Sequence, residues 1–127
     1  MIEFSLRLAN RPGQLAVLSR LLAEAGINIE TLAALSVDGE SLVRLMVEDA
    51  AEARRVLEES GISFEERAVL DTFLPNRPGA LAEVTEDLAN AGVNIDSIYL
   101  LHSNAEGLHF AVTVDDPEAA RSRLPSP

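Results

Sequence analysis

The sequence predicts an α+β chain: two β-α-β-β-α-β units in tandem, each an antiparallel sheet with helices on one face, the second unit lacking its last strand. Three observations carry this. Asn10-Arg11-Pro12-Gly13-Gln14-Leu15-Ala16 returns as Asn76-Arg77-Pro78-Gly79-Ala80-Leu81-Ala82, 66 residues later. On either side of each copy the apolar spacing switches between a period of two and the helical period. After Leu124, the counterpart of Leu57, only Pro125-Ser126-Pro127 remain, too few for a fourth strand.

Residues 2–8 alternate, with Ile2, Phe4, Leu6 and Leu8 on one side and Glu3, Ser5 and Arg7 on the other, as in a half-buried strand. Pro12 suits the first turn of the next helix, on which Leu15, Leu18, Leu22 and Ala25 form one stripe. Gly26 is the expected left-handed stop. Residues 27–37 are apolar and β-branched, Asp38-Gly39 signals a hairpin, and 42–48 alternates through Val43, Leu45 and Val47. Asp49 is placed to cap a second helix running to about Glu59, Gly61 ends it, and Ile62 to Glu66 returns to extended structure.

The second copy follows the same order. Ala68 to Leu74 is extended, making Ile62 to Leu74 a nearly continuous strand, and Leu81, Val84, Leu88 and Ala91 form the helical stripe. Gly92-Val93-Asn94-Ile95 repeats Gly26-Ile27-Asn28-Ile29, Phe110, Val112 and Val114 replace Val43, Leu45 and Val47, and Asp116-Pro117 opens the last helix. The offset reaches 67 there, which puts one inserted residue in the hairpin loop near Ser103 to Gly107. The domains are therefore 1–66 and 67–127. With right-handed crossovers this order gives the ferredoxin-like split βαβ arrangement.

Composition narrows the function. A formal net charge of −11 opposes attraction to phosphate backbones and anionic lipid, and 4% aromatics without Trp argues against a base-stacking platform. No nucleic acid and no membrane partner is expected. The absence of Cys excludes thiol chemistry and Cys-ligated zinc, and a cytoplasmic protein without a signal segment is expected. His102 and His109 lie on facing strands, but no Ser, carboxylate or third ligand is placed to complete a triad or metal site. They read as exposed strand residues; Glu48-Asp49 and Asp115-Asp116 read as helix caps. No enzyme activity, metal or cofactor is expected.

The repeated turn favours binding. Carrying a strand into a helix, it offers free N–H groups and the positive end of the helix dipole, which suit a carboxylate, and Gly13 and Gly79 allow close approach to the main chain. The bland alternative is that Pro-Gly only ends a strand and starts a helix. Arg11 and Arg77 fit solvated loop charges better than carboxylate clamps.

Asn-Arg-Pro-Gly-x-Leu-Ala at a strand-to-helix turn, together with Gly-[Ile/Val]-Asn-Ile entering the next strand, resembles the ACT domain family, twice and over nearly the whole chain. The resemblance implies units that pair side by side and bind a free amino acid, or a similar small carboxylate, at their junction. Carried over, the ligand-binding positions are Asn10, Arg11, Gly13, Gln14, Leu15, Asn28 and Ile29, with Asn76, Gly79, Ala80, Leu81, Asn94 and Ile95 in the second copy. Serine-sensing members often carry a His two residues before the loop Asn. Leu8 and Leu74 stand there, which points to a less polar ligand.

The expected function is thus a non-enzymatic, amino-acid-binding regulatory protein acting in trans on a partner enzyme or transporter. The alternative is an assembly module that keeps the fold and binds no small molecule. A homodimer is expected, built on the sheet faces that helices leave open. Leu32, Ala34, Leu42 and Met46 would line one face, and Val69, Phe73, Ile98, Leu100 and Ala111 the other. The unfinished edge around Leu70 to Leu74 would add unpaired backbone groups.

Overall fold

The computed structural model describes residues 1–125 and divides into two compact units, the first Met1–Arg67 and the second beginning at Ala68. The first unit runs β1 (Ile2–Ala9), α1 (Gln14–Glu24), β2 (Ile29–Val37), β3 (Glu40–Val47), α2 (Ala50–Glu59) and β4 (Phe64–Ala68). Its sheet order is β2-β3-β1-β4, the split arrangement expected from the element order. The second runs β5 (Leu70–Leu74), α3 (Ala80–Asn90), β6 (Ile95–Ser103), β7 (Leu108–Val114) and α4 (Pro117–Arg121), with a three-stranded sheet ordered β5-β7-β6. The extended run from Ile62 to Leu74 is not continuous. It divides at Val69, and β4 and β5 belong to different sheets.

In the first unit Phe4 and Leu6 on β1 and Val43, Leu45 and Val47 on β3 pack against Leu18 and Leu22 of α1 and Ala53, Val56 and Leu57 of α2. Strand period and helix stripe therefore meet in one aliphatic layer, where each buried Leu, Val or Phe contributes about 1.5–3 kcal/mol. In the second, Leu88, Val93, Val112, Val114 and Ala120 form the core, with Leu74, Ala80 and Val84 clustered beside them. Asp49 and Asp116 cap α2 and α4 as the sequence suggests, accepting from the main-chain N–H of Glu52 at 3.0 Å and Ala119 at 3.1 Å.

The second sheet has no strand beyond β5 among the described residues, yet that edge is not wholly bare. The Pro125 carbonyl accepts from the Phe73 N–H and the Thr72 hydroxyl, both at 3.2 Å. One tail residue thus does part of what β4 does in the first unit.

Register corrects the expected open faces. The pairing of β2 with β3 shifts between Ile29 and Thr31, and that of β6 with β7 between Ile95 and Ser97. An inserted residue moves every following side chain to the opposite face. Leu32 and Ala34 accordingly lie opposite Leu45 and Val43, on the helix-covered side, and Ile98 and Leu100 lie opposite Val112 and Phe110, also on that side. Leu35 takes the place beside Leu42, and Tyr99 the place beside Ala111. The helix-free face also carries Glu3, fully buried, whose carboxylate accepts from Arg44 Nη1 at 2.9 Å.

Candidate functional site

Each repeated motif is a tight turn that precedes its helix. The Gln14 N–H donates to the Arg11 carbonyl at 3.4 Å, and Gly13 has φ 90° and ψ −13°. With Pro12 second and a left-handed Gly third, Arg11-Pro12-Gly13-Gln14 has the form of a type II turn. The same turn recurs at Arg77-Pro78-Gly79-Ala80, with Ala80 N–H to Arg77 carbonyl at 3.3 Å and Gly79 at φ 91° and ψ −15°. Pro12 is therefore not in the first turn of α1: Gly13 is the N-cap, and its positive φ places the proline one step outside the helix.

Neither α1 nor α3 receives a side-chain cap. In the first turn of α1 the Leu15 and Ala16 N–H groups have no acceptor among the described residues, and Leu81 and Ala82 match them on α3. These are the orphan donors at the positive end of a helix dipole. A Cβ built on Gly13 meets nothing within 4 Å, so the approach is open.

The two turns differ in their charges. Arg77 Nη2 donates to both carboxylate oxygens of Glu83, at 3.1 and 3.0 Å. Val17 occupies the matching place in the first copy, and Arg11 forms no ion pair among the described residues. It has only Gln14, whose amide oxygen, turned toward it, accepts from Nε at 3.0 Å and Nη2 at 3.2 Å. The second turn thus already has a carboxylate, and the first has a cation without one.

The other positions serve structure more visibly. Asn10 donates from Nδ2 to the Ser36 hydroxyl at 2.8 Å, and Asn76 donates to the Asn104 carbonyl at 3.0 Å, so each loop Asn ties its turn to its own unit's hairpin. Ile29 and Ile95 pack against the cores, Ala80 is buried, and Leu15 and Leu81 are exposed. Asn94 is held to Asp115 by its N–H at 2.8 Å and its carbonyl at 3.1 Å. Asn28 is exposed, its carbonyl facing the Glu48 N–H at 3.5 Å. Within a unit the structure does not bring Asn28 to the turn: the two lie at opposite ends of α1, about 16 Å apart along its axis.

Among the described residues no three His, Cys, Asp or Glu side chains group as a metal site, and no helix is long and apolar enough to cross a membrane. His109 has partners the sequence did not suggest. Its ring stacks on Phe73 with centroids 4.2 Å apart and planes 12° apart, and Nε2 faces Asp71 Oδ1 at 3.2 Å. The signal was available in the register, which sets Phe73 directly opposite His109.

A family model described as the ACT domain pair matches residues 1–124. None of the curated proteins compared matches the chain. Among solved structures it is similar to protein BT0572 from Bacteroides thetaiotaomicron, at 25% identity and a TM-score of 0.82, covering 95% of this chain and 83% of that one. It is also similar in fold to the ligand-free regulatory subunit of aspartate kinase from Thermus thermophilus, at 20% identity and a TM-score of 0.68, covering 97% and 87%. The corresponding subunit from Thermus flavus gives 21% and 0.68, covering 96% and 88%.

Proposed function

Because the chain belongs to the ACT domain pair family, we propose that it is a regulatory protein that binds a free amino acid and acts in trans on a partner enzyme or transporter. The observation that carries the reading is the pairing of orphan N–H groups at Leu15 and Ala16 with Arg11, a cation lacking a carboxylate. A ligand carboxylate supplies the missing acceptor and the missing charge together. Likeness to regulatory subunits of aspartate kinase supports the regulatory part. The first turn is the stronger of the two sites, since Glu83 competes for Arg77 in the second. The ligand's other end meets aliphatic surface, Leu8 rather than His.

Thermal shift against the twenty amino acids tests this. A binder gains stability of roughly RT ln(1+[L]/Kd) with one or a few of them. No shift with any, in a chain that still associates with a partner enzyme, would establish the assembly module instead.

We also propose that the working form is a homodimer. Its support is β2, an outer strand of its sheet, whose Leu32, Leu35 and Val37 are exposed without an intervening charge. Such an edge invites pairing with a second copy. A concentration-independent monomer mass in sedimentation would rule this out.

A further inference from the structure

We propose that the second unit holds a separate binding site for a small, uncharged, planar nitrogen heterocycle, in the hollow of about 620 Å³ where β5 ends and the β6-β7 hairpin turns. The volume is that of a small-molecule pocket. Phe73, Leu74, Pro75 and Leu108 form apolar walls, and His102, Asn104 and His109 supply polar atoms.

The hollow is built for planarity. Phe73 and His109 stand parallel 4.2 Å apart, and Asp71 fixes the imidazole at 3.2 Å. A parallel pair of rings presents faces on which a third ring stacks with its own offset. The polar edge comes from a register shift between Leu100 and His102. Without it His102 would follow Leu100 to the helix side; with it His102 lies opposite His109. Asn104 Oδ1 is consumed by the N–H groups of Glu106 at 2.9 Å and Gly107 at 3.0 Å, which leaves its Nδ2 facing His102 Nε2 at a long 3.4 Å. A ligand edge offering one acceptor and one donor improves both. The mouth is preorganised, because a Cβ on Gly107 would lie 2.9 Å from the Leu74 carbonyl oxygen.

Charge excludes anions. Among the described residues no Arg or Lys lines the hollow, whereas Glu106 does and Asp71 stands behind His109. Nor is the feature inherited from the repeat: Ser5, Arg7 and Leu42 hold the places of Asp71, Phe73 and His109. The hollow is lined by no residue from 76 to 83, although Asn76 of the second turn donates to the Asn104 carbonyl at 3.0 Å.

The test is titration of the full chain with adenine, followed by amide and imidazole NMR signals, with benzoate as a planar anionic control. The expected result is saturable shifts at His102, His109, Asn104 and Gly107 with a Kd of about 1 mM or tighter. Benzoate should leave them unmoved. His102→Ala, at an exposed position, should weaken binding at least about fivefold while the spectrum stays dispersed, and Phe73→Leu should do the same. The proposal is overturned by absence of a saturable shift, by equal binding of benzoate, by shifts confined to the turns, or by full affinity in His102→Ala.

Discussion

Arg77 Nη2 reaches both carboxylate oxygens of Glu83, at 3.1 and 3.0 Å, one helical turn into α3. If that internal carboxylate occupies the second turn, moving it moves the site. Val17→Glu should place the same partner beside Arg11 and weaken amino-acid binding about tenfold, the worth of one charge-assisted hydrogen bond. Glu83→Val should give the second turn measurable affinity. Calorimetric stoichiometry reads both, and an unchanged affinity in Val17→Glu would remove Arg11 from the site.

Glu3 is fully buried and accepts from Arg44 Nη1 at 2.9 Å. Removing Arg44 takes one charge-assisted hydrogen bond from a desolvated carboxylate. Arg44→Met should therefore cost about 1.5–3 kcal/mol by urea unfolding, the range for a hydrogen bond to a charged group. Glu3→Gln, which leaves no bare carboxylate, should cost less.

The turn-to-hairpin tie predicts a local effect. Asn10→Ala removes the hydrogen bond to Ser36 and should cost about 0.5–1 kcal/mol. Amide exchange should quicken around Ser36 to Gly39, because the Asn10 N–H also holds the Gly39 carbonyl at 3.3 Å. Protection unchanged there would show the tie to be idle.

Part of the acid sensitivity should follow one exposed pair. Arg54 donates to both oxygens of Glu66, and these hydrogen bonds, with the guanidinium charge, hold the Glu66 carboxyl below its ordinary value. A depressed folded-state pKa favours the folded protein when the group is ionised. The contribution is complete above the unfolded value of about 4.3 and fades as pH falls through the lower folded value. Arg54→Met should flatten the loss of urea midpoint across that acid range, and added salt should mimic it. The effect is small, since both side chains meet water.

Gly13→Val, a natural way to block the turn, would confound its own reading. The Gly13 φ of 90° strains any L residue whatever the space around it. Val17→Glu avoids that by leaving the backbone alone.

What the sequence showed and hid has a physical pattern. The repeat, the caps at Asp49 and Asp116 and the Leu18-Leu22 and Val84-Leu88 parts of the helical stripes were legible because each leaves a periodic or positional mark, whereas Leu15 and Leu81, expected on those stripes, are exposed. The bulges after Ile29 and Ile95 were not: Leu32-Ala33-Ala34-Leu35 and Ile98-Tyr99-Leu100-Leu101 are apolar on both sides, so an inserted residue changes no alternation. Hence the misassigned faces. Val17 and Glu83 hold matching places in the two copies, and the meaning of the difference needed Arg77 in space. The turn proposed to bind an amino acid was legible only as a main-chain feature, since no side-chain constellation announces orphan N–H groups.

The two Pro-Gly turns agree within 1° in φ, 91° against 90°, and within 2° in ψ, −15° against −13°. What is repeated is thus a set of dihedral angles, kept with the Asn-Arg-Pro-Gly-x-Leu-Ala residues around it, while Gln14 against Ala80 and Val17 against Glu83 differ. In evolutionary terms the chain carries one template in two chemical settings. If these turns are the binding sites, a single exchange at position 17 or 83 would retire one copy or recruit the other without a change in these angles.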